Sequence, residues 1–69
     1  MTKYIAQWTR KGDGRYDPVN YAKVEASSKK NALTKASNVL RKYTAIDILI
    51  ILTMKEYGEH MSERLTTIE

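Results

Sequence analysis

Apolar and polar positions along the chain fall into four patterned stretches and a weaker tail. Lys3 to Arg10 alternates like a strand, with Tyr4, Ala6 and Trp8 on one face and Ile5 and Gln7 on the other. Lys11-Gly12-Asp13-Gly14 follows as a turn, because Gly and Asp tolerate the positive φ that tight hairpins need. Pro18 has no amide proton for a ladder, so the second strand begins at or after it and runs over Val19 to Ala26. With Asp13-Gly14 at the centre of the turn, Trp8 lies opposite Val19, Ala6 opposite Tyr21 and Tyr4 opposite Lys23. The reverse face then gathers Ile5, Ala22, Val24 and Ala26. One residue more or less in the turn exchanges these faces.

Ser27 to Tyr43 is the one long helical stretch. Ala32, Leu33, Ala36, Val39, Leu40 and Tyr43 recur at the spacing of a buried helical stripe, and Ser27 or Ser28 supplies the N-cap hydroxyl. Thr44 to Met54 is the strongest strand. Ile46, Ile48, Ile50, Leu52 and Met54 take one face; Asp47, Leu49, Ile51 and Thr53 take the other. Apolar on both sides over its middle, it is expected to be a central strand, or one whose back a partner covers. In the tail, residues 56–69, Met61, Leu65 and Ile68 fit a short amphipathic helix, whereas Arg64 to Glu69 fits an edge strand.

These elements predict a small single α+β domain over residues 1–69, with its core in 3–55 and the order β-β-α-β. One helix packs on a three-stranded mixed sheet, or a four-stranded one if the tail adds an edge. Strands two and three, joined through the helix, are expected to run parallel in a right-handed crossover.

Length and composition narrow the class. A single core in 69 residues supplies about 3–5 kcal/mol, which leaves little margin. The absence of cysteine excludes disulfides, thiol chemistry and cysteine metal sites, and nothing demands an oxidising compartment. The opening MTKYIAQW lacks the apolar core of a signal peptide, and Ile48 to Leu52 is far too short to span a bilayer. A cytoplasmic protein without membrane contact is the expectation.

Charge is unevenly spread within the formal net charge of +4. Residues 1–44 carry ten Lys and Arg against Asp13, Asp17 and Glu25. Residues 45–69 carry Lys55 and Arg64 against Asp47, Glu56, Glu59, Glu63 and Glu69. The basic part should attract an anionic partner, unless the two halves neutralise each other across the fold. Catalysis finds no such support. His60 is the one histidine, without a nucleophile setting, and Asp13 and Asp17 lack calcium-loop spacing. The expectation is therefore no enzyme, no catalytic residue, no metal site and no cofactor.

The candidate sites lie on the helix, the hairpin and the strong strand. Lys29 and Lys30 fall in the first helical turn, where the macrodipole disfavours cations; an anion bound there with Ser27 and Ser28 would reverse that sign. Lys35, Arg41 and Lys42 continue an acid-free helix, and Arg10, Lys11 and Arg15 add cations at the hairpin tip. Tyr4, Trp8 and Tyr21 share a face in the register above. They either stack unpaired bases, belong to the core under the helix, or join Leu49 and Ile51 in a homodimer interface.

The joint Ala26-Ser27-Ser28-Lys29-Lys30-Asn31-Ala32 resembles the strand-to-helix joint of integrase arm-type DNA-binding domains. That resemblance is confined to the joint. Those domains carry three strands before the helix, where this chain has two and adds a strong one after it. In size the chain is also similar to phage-encoded proteins that disable host or defence machinery, an analogy of scale only. The expected function is a non-catalytic binding protein that engages an anionic macromolecule, with nucleic acid favoured over an acidic protein surface. The alternative is a protein-interaction module, such as a phage-type inhibitor.

Overall fold

The computed structural model describes residues 1–10 and 19–68. Thr2–Arg10 forms β1, Asn20–Ala26 β2, Lys29–Leu40 α1 and Ile46–Thr53 β3. Two one-turn helices, α2 (Met54–Tyr57) and α3 (Glu59–Ser62), lead to the short strand β4 (Thr67–Ile68). The four strands make one mixed sheet in the order β3-β1-β2-β4. β1 runs antiparallel to both β2 and β3, so those two are parallel to each other, and β4 adds parallel to β2. This is the expected α+β sandwich in its four-stranded form.

Each face of the sheet is covered by one connection. Tyr4, Ala6 and Trp8 of β1 lie level with Val24, Ala22 and Asn20 of β2, and with Thr53, Ile51 and Leu49 of β3. On this face α1 packs through Ala32, Ala36 and Leu40 onto Ala6, Ala22, Val24, Ala26 and Ile68. Alanine on both sides of the contact lets the helix backbone approach the sheet closely. Ile5 alternates to the other face and is fully buried there. The α2–α3 segment returns across that face: α2 packs on β1 and β3, and the Tyr57 ring meets Tyr21 with centroids 4.9 Å apart. The second crossover retraces the first across the sheet, so a single hand for both requires opposite faces.

Local chemistry fixes the joints. The Ser28 hydroxyl accepts from the Asn31 N–H at 3.2 Å, and the Asn31 side-chain amide donates to the Ser27 hydroxyl. Thr53 and Glu56 form a reciprocal capping box that turns β3 directly into α2. Gly58, at φ +110, makes the bend between α2 and α3 that a side chain would strain. The buried Ser62 hydroxyl donates to the Glu59 carbonyl at 2.7 Å, so its burial leaves no polar atom unsatisfied.

Several expectations are corrected. The hairpin register differs by one residue: Trp8 faces Asn20 rather than Val19, and Ala6 faces Ala22 rather than Tyr21. That slip moves Tyr21 to the face opposite Tyr4 and Trp8. The intervening residues 11–18, with the expected turn at Asp13-Gly14, lie outside the described residues. β3 is an edge strand, not a central one. Its two apolar faces arise because α1 shields Leu49 and Ile51 while Ile48 and Ile50 stay exposed. The helix ends at Leu40, so Tyr43 leaves the stripe and stands 81% exposed. In the tail the edge strand forms, reduced to Thr67–Ile68, whereas Met61, Leu65 and Ile68 do not share a helix: α3 holds Met61 alone of the three and leaves it exposed.

Candidate functional site

α1 lies with Ala32, Ala36 and Leu40 toward the sheet, so helical geometry turns Lys30, Asn31, Thr34, Asn38 and Arg41 outward. Lys42, in the turn just beyond, is exposed beside them. No acidic residue occurs from Ser27 to Tyr43. Among the described residues the acids Glu56, Glu59 and Glu63 belong to α2, α3 and the turn that follows, across the sheet from α1, whereas Glu25 of β2 lines a cavity with Asn31, Thr34, Lys35 and Asn38 of α1. The chain's charge asymmetry therefore becomes an asymmetry between the two layers of the fold. Asp47, at the start of β3, lines a shallow groove with Arg41, Leu33, Ser37, Ile46 and Leu49.

The first helical turn is partly answered from within. Lys29 Nζ lies 3.2 Å from Glu56 Oε1, and both side chains are about half exposed. The N-termini of α1 and α2 meet at the same end of the sheet, which brings together residues 27 positions apart in sequence. Lys29 thus needs no external anion to offset the helix dipole. Ser28 is engaged as the cap and Ser27 with Asn31. Lys35 reaches back to the Glu25 carbonyl at 3.2 Å. Of the expected helix cations, Lys30, Arg41 and Lys42 remain turned to solvent.

Glu56 accepts from the Thr53 main-chain N–H at 2.8 Å as well as from Lys29. The Thr53 N–H first, and the Lys29 ammonium second, hold its carboxyl below its ordinary value of 4.5. A folded-state value below the unfolded one means that this contribution to stability is complete above 4.5. It is lost as pH falls through the lower folded value. Glu56→Gln keeps an oxygen for the Thr53 N–H but loses the charge. In thermal melts between neutral and acid pH, that variant should therefore show a shallower acid limb than the parent. Coincident limbs would mean that Glu56 carries no such linkage.

The other expected site residues do not assemble as one site. Tyr4 and Trp8 are half-buried against the core beneath α1, whereas Tyr21 is on the reverse face against Tyr57. The shared stacking face is therefore absent, since it required the other register. Leu49 and Ile51 are likewise turned toward α1, and the exposed apolar positions of β3 are Ile48 and Ile50. Arg10 is exposed at the end of β1, opposite Ile46; Lys11 and Arg15 lie outside the described residues. The Thr53–Glu56 capping box was readable as Thr-x-x-Glu.

Among the described residues, no group of three or more His, Cys, Asp or Glu side chains could hold a metal ion, and no helix is long and apolar enough to cross a membrane. Compared with protein-family models, with curated proteins and with solved structures, the chain matches none of them.

Proposed function

We propose that this chain is a non-catalytic binding protein whose partner is an anionic macromolecule, nucleic acid foremost, engaged across the outer surface of α1. The observation that carries this is the acid-free helix surface, with Lys30, Arg41 and Lys42 exposed and Asn31, Thr34 and Asn38 between them. Cations flanking small amides and hydroxyls suit a phosphate backbone, which is held by charge and by hydrogen-bond donors alike. Tyr4 and Trp8 pack against the core beneath α1 while Tyr21 lies on the reverse face, so no shared stacking face enters this reading, and binding is expected to depend on the backbone and to show little sequence preference. A cytoplasmic setting goes with it, compatible with a chain that has no cysteine.

Fluorescence anisotropy with a labelled mixed-sequence DNA duplex tests this over a salt series. If Lys30, Arg41 and Lys42 each displace one counterion, log K should fall against log salt with a slope of about −2.7. No binding at low ionic strength, or binding indifferent to salt, would contradict it. The exposed Ile48 and Ile50 on an edge strand support a second reading, a protein-interaction module of the inhibitor kind that takes a partner along β3. Binding of that sort would be insensitive to salt and to changes on α1.

A further inference from the structure

We infer that β3 is the site of a two-fold association between two copies of this chain, through antiparallel edge pairing centred on Ile50. β1 occupies one side of β3, and among the described residues no strand pairs on the other. The Ile48 N–H is directed to the β1 side, where it donates to the Thr9 hydroxyl at 3.3 Å. Alternation then turns the N–H and C=O groups of Leu49 and Ile51 toward the open edge. Natural edges are usually blunted by lysine, proline, a bulge or short length. β3 has eight residues with neither lysine nor proline, and the one irregularity in its pairing with β1 lies at Asp47-Ile48, which leaves Leu49 to Thr53 regular.

What fits this edge is argued from its own pattern. The segment Asp47-Ile48-Leu49-Ile50-Ile51-Leu52-Thr53 is polar at both ends, apolar between them, and symmetric in that respect about Ile50. Pairing about Ile50 sets Ile48 against Leu52 of the second copy, Leu49 against Ile51, Ile50 against Ile50 and Asp47 against Thr53. Every apolar side chain meets an apolar one, and both carboxylates stay at the rim. The Leu49–Ile51 pairs are the ones whose outward main-chain groups exchange hydrogen bonds. A slide of two residues one way buries Asp47 against Ile51; the other way it sets Leu49 against Thr53 and runs into α2. A slide of one residue turns the faces over. The pattern therefore specifies its own register.

Both faces of the joint would be apolar. Ile48 and Ile50, 53% and 44% exposed, meet their counterparts on the α2–α3 side. On the α1 side, Leu33 is 42% exposed beside Leu49 and extends the contact. A joint made of one strand and Leu33 is small for a specific interface, so the association is expected to be weak, on the order of micromolar. A two-fold axis normal to the sheet also brings both α1 helices to one side, although the pairing stands without the nucleic-acid reading.

Sedimentation velocity on the full chain, from about 1 μM to about 1 mM, reads this directly. The parent should move from the mass of one 8.0 kDa chain toward that of two as concentration rises. Ile50→Lys sets two ammoniums against each other at the axis and should weaken association at least about 100-fold, with an unchanged far-ultraviolet spectrum. Should that variant fail to fold, hydrogen exchange on the parent supplies the test: the Leu49 and Ile51 amides should gain protection at high concentration. A single-chain mass throughout, a dimer that Ile50→Lys leaves intact, or protection gained elsewhere would overturn the inference. Nucleic-acid binding by a strictly monomeric chain would overturn it alone, leaving the helix reading in place.

Discussion

Ile5→Ala is expected to cost about 2–5 kcal/mol, the range for truncating a large aliphatic side chain that is fully buried. A single core in a chain of this length supplies about 3–5 kcal/mol, so this one change should leave a large fraction of molecules unfolded at 25 °C. Ile5 is chosen because it sits on the face away from α1, where, among the described residues, the α2–α3 return covers the sheet. Its burial is therefore a direct consequence of the second crossover. By contrast, Ile50→Ala on the same face of β3 removes a side chain that is 44% exposed, and should cost clearly less, about 1 kcal/mol. Urea melts followed by circular dichroism separate the two. A mild Ile5→Ala would mean that the chain after β3 does not close over β1.

Most elements were legible because each carries its own period. β2, α1 and β3 fall within the stretches marked by alternation or helical spacing, shortened by a residue or a few at their ends, and β1 starts one residue before its stretch. What was not legible was how the faces of β1 and β2 match. β2 alternates cleanly, with Ala22, Val24 and Ala26 apolar and Tyr21, Lys23 and Glu25 more polar. β1 does not, since Tyr4, Ala6 and Trp8 compete with Ile5 for the core. Both sets are in fact covered, one by α1 and one by α2–α3, so the pattern of β1 could not choose a register. Turn length had to decide it, and the assumed two-residue turn gave the wrong parity. The same ambiguity misplaced β3. Continuous apolar sequence reads as a central strand, whereas here one half of it faces α1 and the other half stands at an open edge.

The candidate site was partly legible for a similar reason. An acid-free helix is visible in the sequence, and its outward cations follow once the apolar stripe is known. The pairing of Lys29 with Glu56 was not visible, because it joins residues whose proximity depends on the order of the strands. Sequence alone made the first turn look in need of an anion. The fold supplies half of that need itself, and shifts the weight of any phosphate contact to Lys30, Arg41 and Lys42.

Reversal of those three charges is the second large effect. Lys30→Glu with Arg41→Glu and Lys42→Glu should lower affinity for a DNA duplex at least about 100-fold at low salt, since each lost contact forfeits counterion release and each new carboxylate repels phosphate. Folding should tolerate it. A glutamate near the N-terminus of α1 gains about 0.3–1 kcal/mol from the helix dipole, and each of those at the C-terminus forfeits about as much. The control is reversal of Lys3, Lys55 and Arg64, which are exposed on β1, on α2 and beyond α3. It makes the same change in net charge without touching α1. At about 0.1 M salt, where fields are screened beyond about 10 Å, the control should bind within about tenfold of the parent.

The anisotropy titration of parent, helix variant and control side by side is the most direct test of whether α1 is the binding surface. Loss confined to the helix variant is the expected result. Equal loss in both variants would reduce the attraction to net charge, and full affinity in the helix variant would show that α1 is not the surface.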